Sequence, residues 1–310
     1  YDAEVRVTCV PKDGTTSKYT SIKNKLENDA TVVKAKESIN GTLTITLDKT
    51  STEEVSEEYT CKLEFTAVER DTIGKENIPD PVSFTSDSWK TIQKAVQTGN
   101  TSKYNLGDTK VVDLGDFGTH EVRISNMSEC TNGETSETAC GFVVEFTDVI
   151  TTQKFNSTAT NLGGWEASEI RTYVNGTIYN ALPSELQNVI ASTKVISGHG
   201  KNDSNNFETN DKLYFLSSHE VYEDEKDNKT SVYDASYNET KQLDYYKQKG
   251  LTTNIYEAAK KQYNGADLKW WFRSSFINSD TRFFSANVLG GWSYYEANDT
   301  IGISPAFKVA

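Results

Sequence analysis

The chain has 310 residues, a formal net charge of −13 and 35% apolar residues. This acidity argues against a nucleic-acid partner, because phosphate binding needs clustered Lys and Arg, and the absence of an 18-residue apolar run argues against a membrane span. An aromatic content of 11% is too high for a disordered chain, and the length suggests two domains.

Residues 1–75 are predicted to form an all-β domain. The segments AEVRVTCV, TVVKAKES, GTLTITL and YTCKLEFTAVE alternate apolar and polar residues, which is typical of strands with one buried face. Several short strands without a helix suggest a β-sandwich, and Tyr59 and Cys61 have the Tyr-x-Cys spacing of immunoglobulin-like sandwiches. We therefore predict an immunoglobulin-like domain with a Cys9–Cys61 disulfide. No tryptophan lies between the two cysteines, which leaves two reduced, buried cysteines in an unrelated sandwich as the alternative.

A linker over residues 76–86 is predicted to join this domain to a second domain over residues 87–310. The linker contains two of the five prolines and lacks an alternating pattern, which favours irregular structure. The second domain is expected to begin with a helix in DSWKTIQKAVQTGN, with Asp87 as its N-cap and Gly99 as its stop.

Cys130 and Cys140 flank the polar segment between two predicted strands, so a disulfide would close the base of a long hairpin. Intermolecular pairing is the alternative. No C-x-x-C occurs among the four cysteines, so zinc and thioredoxin-like interpretations are weak and two disulfides fit better. Two disulfides imply an oxidising, extracellular compartment. A start at Tyr1 without Met is consistent with a trimmed N-terminal leader or membrane anchor.

The tetrapeptide LGGW occurs twice, at residues 162–165 and 289–292. Glycine pairs permit positive φ angles and a close approach of other chain segments, so both copies are predicted to turn the backbone at crowded places. We expect each tryptophan to cover the gap beside its glycines, and the first copy to open a helix. Chance recurrence of the tetrapeptide is the alternative.

The remaining elements are predicted from periodicity and capping signals. PSELQNVIAS is expected to form a short helix with Ser184 as its N-cap, and KLYFLSSHEVY a strand. Residues 223–250 are polar and are predicted to form a loop, whereas TTNIYEAAKKQY is predicted as the last helix. Three short strands are expected in WWFRSSF, RFFSANV and IGISPAFKV.

Nine Asn-x-Ser/Thr sequons occur in the chain. Because the chain is rich in Asn, Ser and Thr, the sequons suggest exposure of their asparagines more than they prove glycosylation. They lie at Asn40, Asn100, Asn126, Asn156, Asn175, Asn202, Asn228, Asn238 and Asn298.

Several motifs in fixed order over roughly residues 95–310 carry a resemblance to a known family. They are GGWEASEIRTYVN, LPSELQNVI, DKLYFLSSHEVY, WWFRSS and IGISPAF. Together they resemble a family of uncharacterised C-terminal domains of secreted bacterial and viral proteins. The arrangement is similar to the C-type-lectin-like fold of formylglycine-generating enzymes and of the variable receptor-binding proteins made by diversity-generating retroelements.

The resemblance implies an α+β head with a C-type-lectin-like fold, preceded by the immunoglobulin-like domain. In that fold a short twisted antiparallel sheet is supported by two helices, and the last strands carry the ligand face. Formylglycine chemistry is excluded because it needs cysteines in the C-terminal part, and no cysteine follows Cys140.

The C-terminal segment 270–310 holds 10 of the 34 aromatic residues in 41 positions. Core packing explains Trp270, Phe272 and Phe307, which alternate within predicted strands. Tyr294 and Tyr295 are adjacent and cannot both point inward from an extended segment, so one of them should be exposed. Tyrosine mixed with Ser, Gly and Asn is typical of binding loops. The predicted ligand-binding residues are Asn278, Asp280, Arg282, Phe284, Asn287, Trp292, Ser293, Tyr294, Tyr295, Glu296 and Asn298.

The sequence therefore predicts a non-enzymatic binding protein on a cell or virion surface, with a protein or carbohydrate ligand and no cofactor. Calcium is an alternative through Glu296, Asn298 and Asp299, which could supply hard oxygen ligands. A structural or adhesive component without a specific ligand is the first competing interpretation, and burial of both adjacent tyrosines would favour it. A hydrolase is the second, which a concave pocket lined by His219 and paired carboxylates would favour.

Overall fold

A computed structural model describes residues 2–12, 20–26, 32–33, 40–47, 58–68, 78–201, 203, 205–224 and 232–310. The chain divides into two compact units, Tyr1–Ile78 and Pro79–Ala310. The division lies within the predicted linker over 76–86. Taken together, strands and short helices give a mixed α+β chain, which confirms the predicted class at that level. Among the described residues, no helix combines the length and apolar character that crossing a membrane requires.

The described part of the first unit consists of antiparallel strands in two sheets. The strands are β1 (Asp2–Pro11), β2 (Thr20–Leu26), β3 (Val32–Val33), β4 (Gly41–Leu47) and β5 (Tyr59–Val68). One sheet has the order β3-β1-β5 and the other pairs β2 with β4. The alternating segments predicted as strands correspond to β1, β4 and β5, whereas most of the predicted strand TVVKAKES lies outside the described residues.

The predicted Cys9–Cys61 disulfide is confirmed, with a Cα–Cα distance of 4.0 Å. The two cysteines face each other in the antiparallel register of β1 and β5. They therefore cross-link two neighbouring strands of one sheet, whereas the disulfide of an immunoglobulin domain joins its two sheets. The sequence spacing predicted the pair but not its place in the sheet.

The second unit contains two larger sheets and two hairpins. Its described strands are β6 (Thr109–Asp113), β7 (Thr119–Asn126), β8 (Val143–Phe146), β9 (Thr151–Lys154), β10 (Thr193–Gly198), β11 (Asn206–Asp211), β12 (Lys261–Tyr263), β13 (Ala266–Leu268), β14 (Trp270–Ser275), β15 (Arg282–Ala286), β16 (Trp292–Glu296), β17 (Thr300–Ile303) and β18 (Ala306–Lys308). The five-stranded sheet has the order β16-β15-β14-β17-β9, and the four-stranded sheet has the order β18-β8-β7-β6. The predicted Cys130–Cys140 disulfide is confirmed and closes the connection between β7 and β8.

The helices of the second unit are short. Those in the described residues are α1 (Trp89–Gln97), α2 (Glu169–Tyr173), α3 (Tyr179–Ala181), α4 (Ser184–Gln187), α5 (Ser218–Val221) and α6 (Asp244–Gln248), and a π-helical turn over Val174–Ile178 joins α2 to α3. The predicted first helix is confirmed, but its N-cap is Ser88, whose hydroxyl accepts from the Thr91 amide at 3.1 Å. The predicted cap Asp87 instead accepts from the Val82 amide and the Tyr104 hydroxyl, each at 2.8 Å.

Three other element predictions are wrong. KLYFLSSHEVY contains an isolated bridge at Tyr214 and the helix α5, because Ser217 and Glu220 form a capping box that starts a helix. TTNIYEAAKKQY contains a 3₁₀ turn over Glu257–Ala259 followed by β12. The predicted loop 223–250 contains α6, while its residues 225–231 lie outside the described part. Ser184 is the first residue of α4 and not its cap, which is Pro183.

A buried ion pair joins α5 to β14. The Arg273 guanidinium donates from both terminal nitrogens to the Glu220 carboxylate, each at 2.6 Å, and both side chains are fully buried. Thr240 also donates to Glu220, at 2.8 Å. Burial alone raises the Glu220 pKa, but the Arg273 charge and hydrogen bonds outweigh it and lower that pKa below its usual range. Glu220, which the sequence places beside His219, is therefore part of the internal framework.

A second buried network connects the four-stranded sheet to β12. Glu145 accepts from Arg123 at 3.1 Å and from Lys261 at 2.8 Å, and the Tyr246 hydroxyl donates to it at 2.9 Å. Burial raises the Glu145 pKa, but the two cations lower it to about 2. Burial lowers the pKa of the Lys261 ammonium to about 8, against the attraction of Glu145. This contact places Lys261 in the interior as part of a strand.

Both LGGW copies turn the backbone where other chain segments are close. A Cβ on Gly164, which has a φ of 57°, would lie 2.3 Å from the Gly198 carbonyl oxygen. A Cβ on Gly290, which has a φ of 87°, would lie 2.4 Å from the Tyr256 carbonyl oxygen. The first copy forms a turn just before α2 and the second connects β15 to β16. Glycine is therefore required at both places, as predicted.

Candidate functional site

The predicted ligand-binding segment includes the hairpin of β15 and β16, which forms one edge of the five-stranded sheet. Its strands are paired so that Arg282 faces Glu296, Phe284 faces Tyr294 and Ala286 faces Trp292. Cross-strand partners and residues two apart along a strand share one face of a sheet. These six side chains therefore define one face of the hairpin, which is called the hairpin face below.

Tyr294 is the exposed aromatic residue of the hairpin face. Its side chain is 38% exposed, and its ring stacks on Phe276 with centroids 4.2 Å apart and planes at 8°. The Arg282 guanidinium lies 5.3 Å from the centre of the Tyr294 ring and donates to Glu296 at 2.7 Å. The partly exposed aromatic ring thus lies against a second ring and beside an ion pair.

The ion pair keeps both of its partners charged. The hydrogen bond with Glu296 raises the pKa of Arg282, and hydrogen bonds from Thr281 and then Arg282 lower the pKa of Glu296. Both side chains are partly exposed. The hairpin face therefore offers a fixed guanidinium and a fixed carboxylate beside the tyrosine.

Tyr295 lies on the opposite face of the hairpin and is half-buried. Its cross-strand partner is Phe283, which is fully buried and stacks on Phe155 with ring centroids 3.5 Å apart. The Lys269 ammonium lies 3.8 Å from the centre of the Tyr295 ring. Of the two adjacent tyrosines, one is thus exposed and one is packed between the core and a lysine, as the alternation of a strand requires.

Asn161 organises the loop that precedes β15, a role that no sequence pattern predicted. Its side-chain amide donates to the carbonyl oxygens of Ser279 at 2.7 Å, Arg282 at 3.0 Å and Phe276 at 3.3 Å. Asn161 itself is buried. The contacts span more than 110 residues of sequence, so a segment next to the first LGGW fixes the position of Phe276 under Tyr294.

The predicted ligand-binding residues differ in exposure. The exposed ones are Asn278, Asp280, Tyr294 and Asn298; the partly buried ones are Arg282, Asn287, Trp292, Ser293, Tyr295 and Glu296. Phe284 is fully buried and packs against Phe276, so this member of the hairpin face is covered and offers no surface to a ligand. The Asn287 side chain accepts from the amides of Leu289 and Gly291 and thereby holds the hairpin turn.

A groove of about 890 Å³ lies elsewhere in the second unit and includes His219 in its lining. The ring of His219 packs against Tyr233 with centroids 4.6 Å apart. Its Nδ1 lies 2.6 Å from the Tyr237 carbonyl oxygen. A carbonyl only accepts, so Nδ1 carries a proton, and Nε2 is a hydrogen-bond acceptor whenever the ring is neutral. Glu223 and Asp224 also line the groove, so the arrangement that would favour a hydrolase is present.

The suggested metal ligands are engaged in other contacts. Glu296 is paired with Arg282, and the Asp299 carboxylate accepts from the Glu296 amide at 3.2 Å. Among the described residues, no group of three or more His, Cys, Asp or Glu side chains could hold a metal ion. The acidic segment NDSNNFETND, which could also supply hard oxygen ligands to calcium, includes positions 202 and 204, which lie outside the described residues.

Three of the sequon asparagines are structural rather than exposed. The side-chain amide of Asn126 donates to Ser128 and Gly141, each at 2.8 Å, that of Asn156 to Thr160 at 2.8 Å, and that of Asn175 to Leu213 at 2.9 Å. The expectation of exposure is wrong for these three, because their amides complete buried turns. Asn40, Asn100, Asn238 and Asn298 are exposed, while Asn202 and Asn228 lie outside the described residues.

The second unit is thus a disulfide-bonded α+β domain with an exposed aromatic hairpin near its C-terminal end. The chain belongs to the family described as domain of unknown function (DUF6273), whose model matches residues 143–310. This range begins at β8 and includes the whole hairpin face. Comparisons with curated proteins and with solved structures found no match.

Proposed function

We propose that the chain is an extracellular or virion-surface binding protein, and that the hairpin face contacts a protein or glycan ligand. The observation that carries this proposal is the position of Tyr294, exposed on the outermost strand and fixed by Phe276 and the Arg282–Glu296 pair. Tyrosine gives a large contact area at a small entropic cost, and a preorganised ring avoids most of the remaining ordering cost on binding.

Two disulfides support a non-reducing setting for this function. From the sequence motifs we infer that the first unit is an immunoglobulin-like stalk and the second a C-type-lectin-like head. The exposure of Tyr294 speaks against a purely structural role, for which both adjacent tyrosines should be buried.

The proposal is tested by screening the full chain on glycan and protein arrays and then measuring the affinity of any hit. Tyr294→Ala should weaken binding by about 30-fold, which corresponds to the loss of about 2 kcal/mol that a central tyrosine contributes to an interface. Tyr295→Ala is the matched control, because it removes the same side chain from the opposite face. Equal affinities of the wild type and Tyr294→Ala would show that the hairpin face is not the binding surface.

A hydrolase is the second candidate function, because His219 holds Nδ1 on the Tyr237 carbonyl, which makes Nε2 the nitrogen that could act as a base, in a groove with carboxylates. Peptide and glycoside substrates would be screened with the full chain, and any activity should be lost in His219→Ala. Retention of that activity in the variant would exclude His219 as its base.

A further inference from the structure

The walls of the groove beside His219 are held by hydrogen bonds within the chain. The Lys241 ammonium donates to the Ser128 hydroxyl and, at 3.2 Å, to the Glu129 carbonyl oxygen. The Asp244 carboxylate accepts from the Ser128 amide at 2.8 Å. On the other side, the Gln242 side chain donates to the carbonyl oxygens of two neighbouring segments at 2.9 and 2.8 Å. A preformed cavity of this kind lowers the ordering cost of binding.

Several polar groups of the groove remain available. In the described part of the chain, no hydrogen bond or ion pair engages the carboxylates of Glu129 and Glu223, and both residues are exposed. The Nε2 atom of His219 is an acceptor whenever its ring is neutral, for the reason given above. All three groups accept hydrogen bonds, so they suit a ligand that donates them.

The charge of the groove indicates the sign of the charge that the ligand carries. Its lining contains the five acidic residues Glu129, Glu134, Glu223, Asp224 and Asp244 against the two lysines Lys241 and Lys247. With neutral histidine this gives a net charge of −3. The half-buried Tyr237, whose ring stacks 5.9 Å from that of the buried Tyr233, adds an aromatic ring whose negative face attracts cations.

We propose that this groove binds a short basic peptide segment, whose lysine or arginine side chains pair with Glu129 and Glu223 and approach the Tyr237 ring. A volume of about 890 Å³ exceeds the needs of one side chain and fits several residues. The net charge of −13 on the whole chain also attracts a cationic partner over a longer range. The site is separate from the hairpin face and does not depend on the function proposed for it.

The proposal is tested by calorimetric titration of the full chain with acetyl-trilysine amide at low ionic strength. Acetyl-triglycine amide and maltotriose serve as uncharged probes. Trilysine should bind, and added salt should weaken it because screening acts on partly exposed charges. Glu129→Gln and Glu223→Gln should each weaken binding by about three- to fivefold, the effect of one partly exposed ion pair.

Glu121→Gln is the matched control, because Glu121 is exposed on β7 outside the groove and its loss changes the net charge equally. If Glu121→Gln weakened trilysine binding as much as the groove variants, the attraction would be nonspecific and the proposal would be wrong. Binding of maltotriose without binding of trilysine would also overturn it. Tyr294→Ala should leave trilysine binding unchanged, which separates this site from the hairpin face.

Discussion

Arg273→Met should strongly destabilise the second unit. The substitution keeps a long side chain but removes the guanidinium that donates twice to Glu220, at 2.6 Å, inside the protein. Glu220 would keep its hydrogen bonds from Thr240 and from the Ser217 amide, but it would have no cation at contact distance. The Arg273 charge is the main effect that lowers the pKa of Glu220. Without it, Glu220 would either stay charged and unpaired in the interior or bind a proton.

The expected magnitude follows from the burial of both partners. Removing one partner of a fully buried ion pair costs about 3–5 kcal/mol, because the other charge is left uncompensated. At about 2–4 °C per kcal/mol for a domain of this size, Tm should fall by about 6–20 °C. Arg282→Met, which breaks the partly exposed pair with Glu296, should cost no more than about 1 kcal/mol.

Urea unfolding followed by tryptophan fluorescence measures this difference. All five tryptophans lie between residues 89 and 292, so the signal reports the second unit. The double variant Arg273→Met/Glu220→Gln should be less destabilised than the sum of the single variants, because it leaves no unpaired charge. The reasoning would be refuted if Arg273→Met shifted the unfolding midpoint no further than Arg282→Met.

The same assay tests a glycine, a buried carboxylate and a disulfide. Gly164→Ala places a Cβ 2.3 Å from a carbonyl oxygen, whereas Gly250→Ala places one in open space at a similar positive φ. Gly250→Ala should lower the free energy of unfolding by about 1–2 kcal/mol, and Gly164→Ala should lower it further because of the clash. Equal losses in the two variants would contradict this. The pKa of the Glu145 carboxylate is lowered to about 2 in the folded state. Its charged form therefore stabilises the fold above about pH 4.5, and this stabilisation is lost as the pH falls towards 2. In Glu145→Gln, the free energy of unfolding should fall less steeply with pH over that range. The Cys130→Ser/Cys140→Ser variant opens a loop with a separation of 10 residues and should lose about 2–3 kcal/mol; a change below about 1 kcal/mol would oppose a stabilising role.

Local patterns predicted those parts of the fold in which a short segment determines its own structure. The alternating strands β1, β4 and β5, the buried segment of β14 and the glycine turns follow from periodicity and backbone sterics. The helix α5 also had a local signal, the Ser-x-x-Glu spacing of Ser217 and Glu220, although the neighbouring apolar run was interpreted as a strand.

Long-range contacts determined the features that the sequence could not predict. EAAKKQ has residues typical of a helix, but Lys261 enters the interior to meet Glu145, 116 residues away in sequence. Asn161 fixes the loop before Tyr294 from a similar distance. In the candidate site, the alternation of Tyr294 and Tyr295 was visible locally, whereas the burial of Phe284 depends on Phe276 and could not be read from spacing.

Three of the five motifs that carry the resemblance to other proteins, DKLYFLSSHEVY, WWFRSS and IGISPAF, lie mostly in the interior. Every residue of WWFRSS is buried, and its arginine is neutralised by the buried glutamate of SSHEV. Such motifs report packing and internal charge pairing, and chains that share them are expected to share a fold without sharing a ligand. The groups available to a partner, namely Tyr294 on the hairpin face and the carboxylates of Glu129 and Glu223 in the groove, lie outside these motifs. The function of this chain must therefore be tested at those surfaces, because proteins with similar interiors can carry different side chains at their surfaces.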